Sequence, residues 1–399
     1  MIPEYQREIR WSAEDVQTLI DDLIRGGNKF LGTVTVSTLD GTKCEVIDGQ
    51  QRLTSFFSFI DGKLPDGNDF KLSGLKVFTE LNGKKYSELS DELQDKIRYY
   101  KIRTIKFKKE SDNDLQFEIF ARLNTGSVPL NDQELRNCIY RGKFNDLLKE
   151  LTQDNDFKYL LGLSNADKRM KDRELVLRFA AFHFYTYLNY KAPIKNFLNH
   201  TMEKYQNISD NDAQDLRNAF KNTVQIIKTL LDKNAFKRFY RGDEKNKNGK
   251  WEPLKFNVSL YDILMYSFAR EDKNTVYQNL DCIREALIDL MTTDQEFIDS
   301  IELSTSGVKA VTIRFDKWRM TLQNILGINT KEPRCFTYTL KKELFDANRT
   351  CSICHNHISN IDDSAVDHIQ QYWTGGQTIP ENARLTHRYC NNARPRVES

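Results

Sequence analysis

No stretch of this chain is apolar for long enough to cross a bilayer. The longest uncharged and largely apolar run, Phe179 to Tyr190, falls well short of the roughly 18 residues a membrane helix needs. The opening residues Met1-Ile-Pro-Glu-Tyr-Gln-Arg-Glu lack the basic-then-apolar order of a signal peptide. These absences predict a soluble, cytoplasmic protein with no membrane partner. Nor is there an excess of either charge: 59 Lys and Arg against 57 Asp and Glu leave a formal +2. No global field announces a nucleic-acid partner, so any basic surface must be local. Internal repeats and low-complexity tracts are absent as well. Seven cysteines, an odd number without a secretory signal, argue against a disulfide framework.

What is present divides into three parts, as a length of 399 residues allows. Residues 1–112 read as mixed α/β. Ser12 and Asp15 form a capping-box-like start for a helix that stops at Gly26-Gly27. The β-branched runs Phe30–Ser37 and Cys44–Ile47, joined by Asp40-Gly41, predict a hairpin. A helix follows from near Gln50, with Leu53, Phe56, Phe57 and Ile60 on its buried face, and Arg103–Phe107 reads as a further strand. Residues 113–330 are mostly helical in pattern. They are broken by the charged loop Arg241–Lys250, whose simplest reading is a solvated excursion. Residues 331–399 are turn-rich with little apolar periodicity, and a unit that small needs a staple.

The staple is legible. Cys44, Cys138, Cys282 and Cys335 are scattered and read as reduced thiols, whereas Cys351, Cys354 and Cys390 sit together with His355, His357, His368 and His387. Cys351-Ser-Ile-Cys354 and His387-Arg-Tyr-Cys390 are two knuckles, each with two residues between its ligands. Three sulfurs and an imidazole suit a closed tetrahedral zinc site; the alternative is two unrelated thiol pairs. His355 and His357 read as loop residues. Arg384, Arg388, Arg394 and Arg396 form a strip without an acid, suited to phosphate or simply to solvent.

Between the knuckles lie Asp367-His368, Gly375-Gly376 and Asn382, and Asn391 follows Cys390 directly. Over residues 351–394 this order resembles the HNH (ββα-metal) endonucleases. The resemblance implies that His368 is the general base activating water and that Asp367 and Asn391 hold one divalent ion. It also implies that Asn382 orients the His368 imidazole. The chemistry agrees: histidine titrates near neutrality, and hard oxygen ligands suit Mg²⁺ or Mn²⁺ while the knuckle sulfurs suit zinc. His387 stands where cysteine is usual, and Gln370-Gln371 replaces the common proline. Pro395 restricts the helix presenting Asn391 to a very short one.

At the other end, Ile47-Asp48-Gly49-Gln50-Gln51-Arg52-Leu53-Thr54 reads as strand, tight turn and helix N-terminus, where backbone amides favour anions and Arg52 adds a phosphate fork. Asp48 is placed to hold a metal or orient water. Ahead of it come Pro3-Glu-Tyr5-Gln6-Arg7 and Trp11. After it come Phe120–Leu130, containing Arg122, Asn124 and Gly126, and then Glu134-Leu-Arg136-Asn137, with Asn131 as a helix N-cap. Together these motifs resemble the DGQQR-motif domain, of ParB/sulfiredoxin-like fold, in GmrSD/SspE-type restriction and defence proteins.

That likeness implies nucleotide binding and hydrolysis controlling an attached nuclease. Asp48, Gly49, Gln50, Gln51 and Arg52 would form the nucleotide site, with Arg7 and Asn124 nearby. The expected fold is α+β: a ParB/sulfiredoxin-like domain, a helical region carrying the second motif at 117–137, and a zinc-braced HNH domain. The expected function is a metal-dependent DNA endonuclease, controlled by an NTP and directed at phage or modified foreign DNA. A homodimer fits because one HNH site cuts one strand at a time. The competing readings are a DNA-binding module with a non-catalytic zinc end, and a toxin nuclease.

Overall fold

The computed structural model describes residues 13–25, 33–40, 43–64, 67–75, 77–107, 117–118, 122, 130–245, 247–327, 335–371 and 376–394. The chain forms two compact units, Met1–Arg141 and Gly142–Ser399. Among the described residues no helix is long and apolar enough to cross a membrane.

In the first unit helix α1 (Ala13–Arg25) precedes strands β1 (Thr33–Asp40) and β2 (Lys43–Asp48). Helices α2 (Gln50–Asp61) and α3 (Asp91–Arg98) and strand β3 (Arg103–Phe107) follow. The sheet runs β2-β1-β3, with β1 antiparallel to β2 and parallel to β3. The hairpin and the third strand fall where the β-branched runs predict them. Ser12 and the Gly26-Gly27 stop lie outside the described residues.

Helix α2 turns differently from expectation. Leu53, Phe56 and Phe59 are buried, while Phe57 is 49 % exposed. Phe59 meets Phe70 and Tyr86 edge-on at centroid distances of 5.2 and 5.7 Å. Three phenylalanines in four positions define two candidate helical faces, and only these partners select one. The first unit ends in α4 (Asp132–Ile139), capped as predicted by Asn131, whose Oδ1 accepts from the Glu134 amide at 2.9 Å. Gln133, Glu134, Arg136 and Asn137 are all buried on this one helix. Part of this polarity is satisfied within the helix: Glu134 closes the capping box by accepting from the Asn131 amide at 2.7 Å, and Arg136 donates to Gln133 at 3.2 Å.

The second unit is built on α5 (Lys171–Tyr185), α6 (Asp210–Leu231), α7 (Val258–Ser267), α8 (Leu280–Thr293) and α9 (Val308–Leu326), with shorter helices between them. Nearly every residue of α7 is buried, because α5, α6 and α9 all pack against it. A short ribbon of β4 (Phe239–Tyr240) and β5 (Lys250–Trp251) packs against α8 through β4. The chain closes with α10 (Tyr338–Ala347), the antiparallel pair β6 (Ser364–His368) and β7 (Ala383–His387), and α11 (Arg388–Asn392). Helices α10 and α11 both pack on that hairpin.

Candidate active site

Cys351, Cys354, His387 and Cys390 converge, with all their ligand atoms within 4.8 Å of one another. The first knuckle folds tightly: the His355 amide donates to the Cys351 carbonyl at 2.9 Å, and His355 itself adopts φ +61°. Amides of Ile353 and His387 donate to Cys351 Sγ at 3.4 and 3.2 Å. His387 Nδ1 lies 3.3 Å from Cys354 Sγ, while Nε2 lies 3.2 Å from the His357 carbonyl. A carbonyl can only accept, so Nε2 carries the proton and Nδ1 turns its lone pair toward the sulfurs. Burial and the neighbouring sulfurs push the Cys390 thiol up to about 12. Sulfurs crowded this closely lose their protons readily only beside a cation, so the donor set fits zinc. His355 and His357 are exposed and stand outside the cluster.

The hairpin carries the other set. Asp367 and His368 end β6, opposite Arg384 and Ala383 of β7. Asp367, His368 and Asn391 line one cavity of about 340 Å³, with Asn391 supplied by α11, which is only five residues long. His368 Nε2 is hydrogen-bonded to Thr378 Oγ1 at 3.0 Å, and the ring lies 4.4 Å from that of Phe336. Asn382 acts on the main chain beyond the histidine. Its Oδ1 accepts from the Gln370 amide at 2.8 Å, and its Nδ2 donates to the carbonyls of Gln370 and Gln377 at 3.1 and 2.8 Å. The loop so closed passes Gly376, where a β-carbon would come within 1.9 Å of the Gln370 oxygen. Gly375 lies outside the described residues.

Asp367 does not stand alone. Its Oδ2 accepts from Arg384 Nε and Nη2 at 2.8 and 2.6 Å and from Arg394 Nη1 at 2.8 Å. Arg388, the second arginine of the predicted phosphate strip, is only 2 % exposed. It donates to Asp289 and Glu285 of α8 at 2.6 Å each, so it is a buried brace and not a phosphate contact. Burial alone would raise the Glu285 carboxyl, but Arg388 and Lys341 hold it at about 2. Arg396 lies outside the described residues.

The loop read as a solvated excursion is also corrected. Trp251 Nε1 donates to Asp362 Oδ2 at 2.7 Å, and Asn248 Oδ1 accepts from the Ser359 amide at 2.7 Å. A β-carbon on Gly249 would meet Asp363 Oδ1 at 2.6 Å. Nothing in the composition of the charged loop signals this docking. The one visible hint is Trp251, since large aromatics seldom end a free loop.

In the first unit Gly49 links β2 to α2 with φ +96°, and a β-carbon there would press Val34 Cγ2 at 3.0 Å and Arg52 Nη2 at 3.3 Å. Glycine is therefore required at this turn. Asp48 ends β2, Gln50 begins α2, and Gln51 and Arg52 are half-buried on its first turn. Arg7 and Asn124 lie outside the described residues.

A zinc-fitted knuckle pair beneath a ββα hairpin carrying Asp-His and Asn defines a metal-nuclease module. Residues 351–396 match the HNH endonuclease family, and residues 1–141 match the GmrSD restriction endonuclease N-terminal domain. The chain thus joins a GmrSD N-terminal domain to a C-terminal HNH endonuclease domain, and the two matches support a nuclease of the restriction type. No curated protein matches it.

Proposed function

We propose that this chain is a divalent-metal-dependent DNA endonuclease whose N-terminal domain binds and hydrolyses a nucleoside triphosphate to control cutting. Its targets are phage or modified foreign DNA. The observation that carries the reading is the convergence of Asp367, His368 and Asn391 on one cavity beside the Cys351, Cys354, His387 and Cys390 cluster. Cys351, Cys354, His387 and Cys390 would hold zinc, which would brace the hairpin. Asp367 and Asn391 would hold Mg²⁺ or Mn²⁺, which would supply charge neutralisation at the phosphate and the departing oxygen. His368 takes the proton from the attacking water. Asn382 supports His368 indirectly, its side-chain amide fixing the turn that follows, and the Thr378 hydroxyl holds the ring itself. Asp48, Gly49, Gln50, Gln51 and Arg52 form the nucleotide site, completed by Arg7 and Asn124. The helical residues between the two ends transmit the signal or support a homodimer.

The test is plasmid cleavage with Mg²⁺ or Mn²⁺ against EDTA, on unmodified and modified phage DNA, with and without each nucleotide. His368→Ala is expected to abolish nicking while zinc content and folding stay unchanged; retained nicking removes the assignment. Asp48→Ala is expected to lose nucleotide hydrolysis, and unchanged hydrolysis removes the nucleotide site.

A further inference from the structure

The Asp367 side chain is 10 % exposed, and three N–H groups from two arginines converge on its Oδ2. The two arginines are held differently. Arg384 sits directly across the hairpin from Asp367, so the strand register fixes it there. Arg394 lies just past the end of α11, three residues beyond Asn391. It bridges three successive residues, donating to Asp367 Oδ2, to the His368 carbonyl at 2.9 Å and to the Ile369 carbonyl at 3.1 Å. Strand register thus fixes the Arg384 backbone opposite Asp367, whereas Arg394 is placed by its own side-chain contacts beyond the helix end.

We propose that Arg394 is a gate on the cation site: its guanidinium and a divalent cation compete for the Asp367 carboxylate. This rests on the reading of Asp367 as a cation ligand. The physical reason is twofold. Oδ2, engaged by three N–H groups, has little lone-pair density left for a metal, so a cation meets the carboxylate through Oδ1, and a guanidinium within 3 Å of Oδ2 repels that second positive charge. Arg394 leaves Asp367 when another anion accepts it, and a DNA phosphate arriving at the cavity mouth is that anion; of the two arginines, Arg384 then remains on Oδ2. Cation and DNA then strengthen each other's binding, since coupling of this kind is reciprocal. Cutting without DNA-driven release is held back by the same contact.

The experiment measures Mn²⁺ binding to the full, zinc-loaded chain by electron paramagnetic resonance of free Mn²⁺, with zinc content and melting temperature recorded for each variant. Arg394→Gln is expected to bind Mn²⁺ about tenfold more tightly, the equivalent of one charge-assisted pair removed. Loss of a purely structural residue would weaken binding or leave it unchanged, and either result overturns the gate. If Arg394→Gln does not fold, Arg394→Lys carries the test. It keeps the charge but cannot span three acceptors, so tighter Mn²⁺ binding supports the gate and equal or weaker binding overturns it. Asp367→Asn separates the two layers of argument. If it leaves Mn²⁺ binding intact, the reading of Asp367 as ligand fails. If it abolishes binding while Arg394→Gln shows no gain, the gate alone fails.

Discussion

Replacing Arg388 by alanine should cost the second unit about 2–3 kcal/mol. Its guanidinium is buried and meets two carboxylates, Glu285 and Asp289, at 2.6 Å each. Removing one partner of a fully buried pair costs about 3–5 kcal/mol, because the remaining charge is stranded. Here that figure must be reduced: the Glu285 side chain is 24 % exposed and the Asp289 side chain 50 %, so water relieves part of the loss. Lys341 also stays at 2.8 Å from Glu285 and keeps one charge balanced. Urea unfolding of Arg388→Ala, Glu285→Gln and the double variant is the assay. A coupling energy of about 1 kcal/mol or more between the two positions is expected. A shift for Arg388→Ala below about 0.5 kcal/mol would refute the idea that α8 braces the helix presenting Asn391. The pH dependence has a definite sign. The Glu285 carboxyl is lowered from 4.5 to about 2 on folding, so its contribution is present above pH 4.5 and is lost as pH falls towards 2.

Two further outcomes are expected. Chelation of zinc, or Cys354→Ser, should unfold the β6–β7 module and end cleavage. Its apolar core (Phe345, Cys351, Ile358, Leu385 and Cys390) is too small to stand without the metal. Metal analysis with circular dichroism checks this, and an unchanged zinc-free fold would contradict it. Asp363→Asn should stabilise the protein near pH 7 by about 2–3 kcal/mol, since a raised pKa counts against folding once the group must ionise. Asp363 is fully buried with neither oxygen in a well-formed hydrogen bond, and burial raises its carboxyl from 3.8 to about 6. The wild type therefore loses stability as pH rises from about 4 through 6, and the variant should not. Thermal melts across that range decide it.

Some of this protein was determined by local sequence. Two knuckles with fixed spacing announce four ligands suited to one metal, so the zinc-fitting cluster was legible from Cys351, Cys354, His387 and Cys390, although the fold had to bring the two knuckles together. The β1–β2 hairpin, the Gly49 turn and the Asn131 cap were legible because each depends on residues within a few positions. What tertiary structure decided was every partner drawn from far along the chain. It turned Phe59 inward and left Phe57 out. It docked the 241–251 loop on Asp362 and Asp363, and it buried Arg388 against α8. It set Arg384 and Arg394 on Asp367 and brought Thr378 and Phe336 to His368. Charge and aromaticity say that such groups need partners, but only the packing of distant elements chooses which. The gate proposed at Asp367 therefore had no signature in the sequence beyond an arginine three residues after an asparagine.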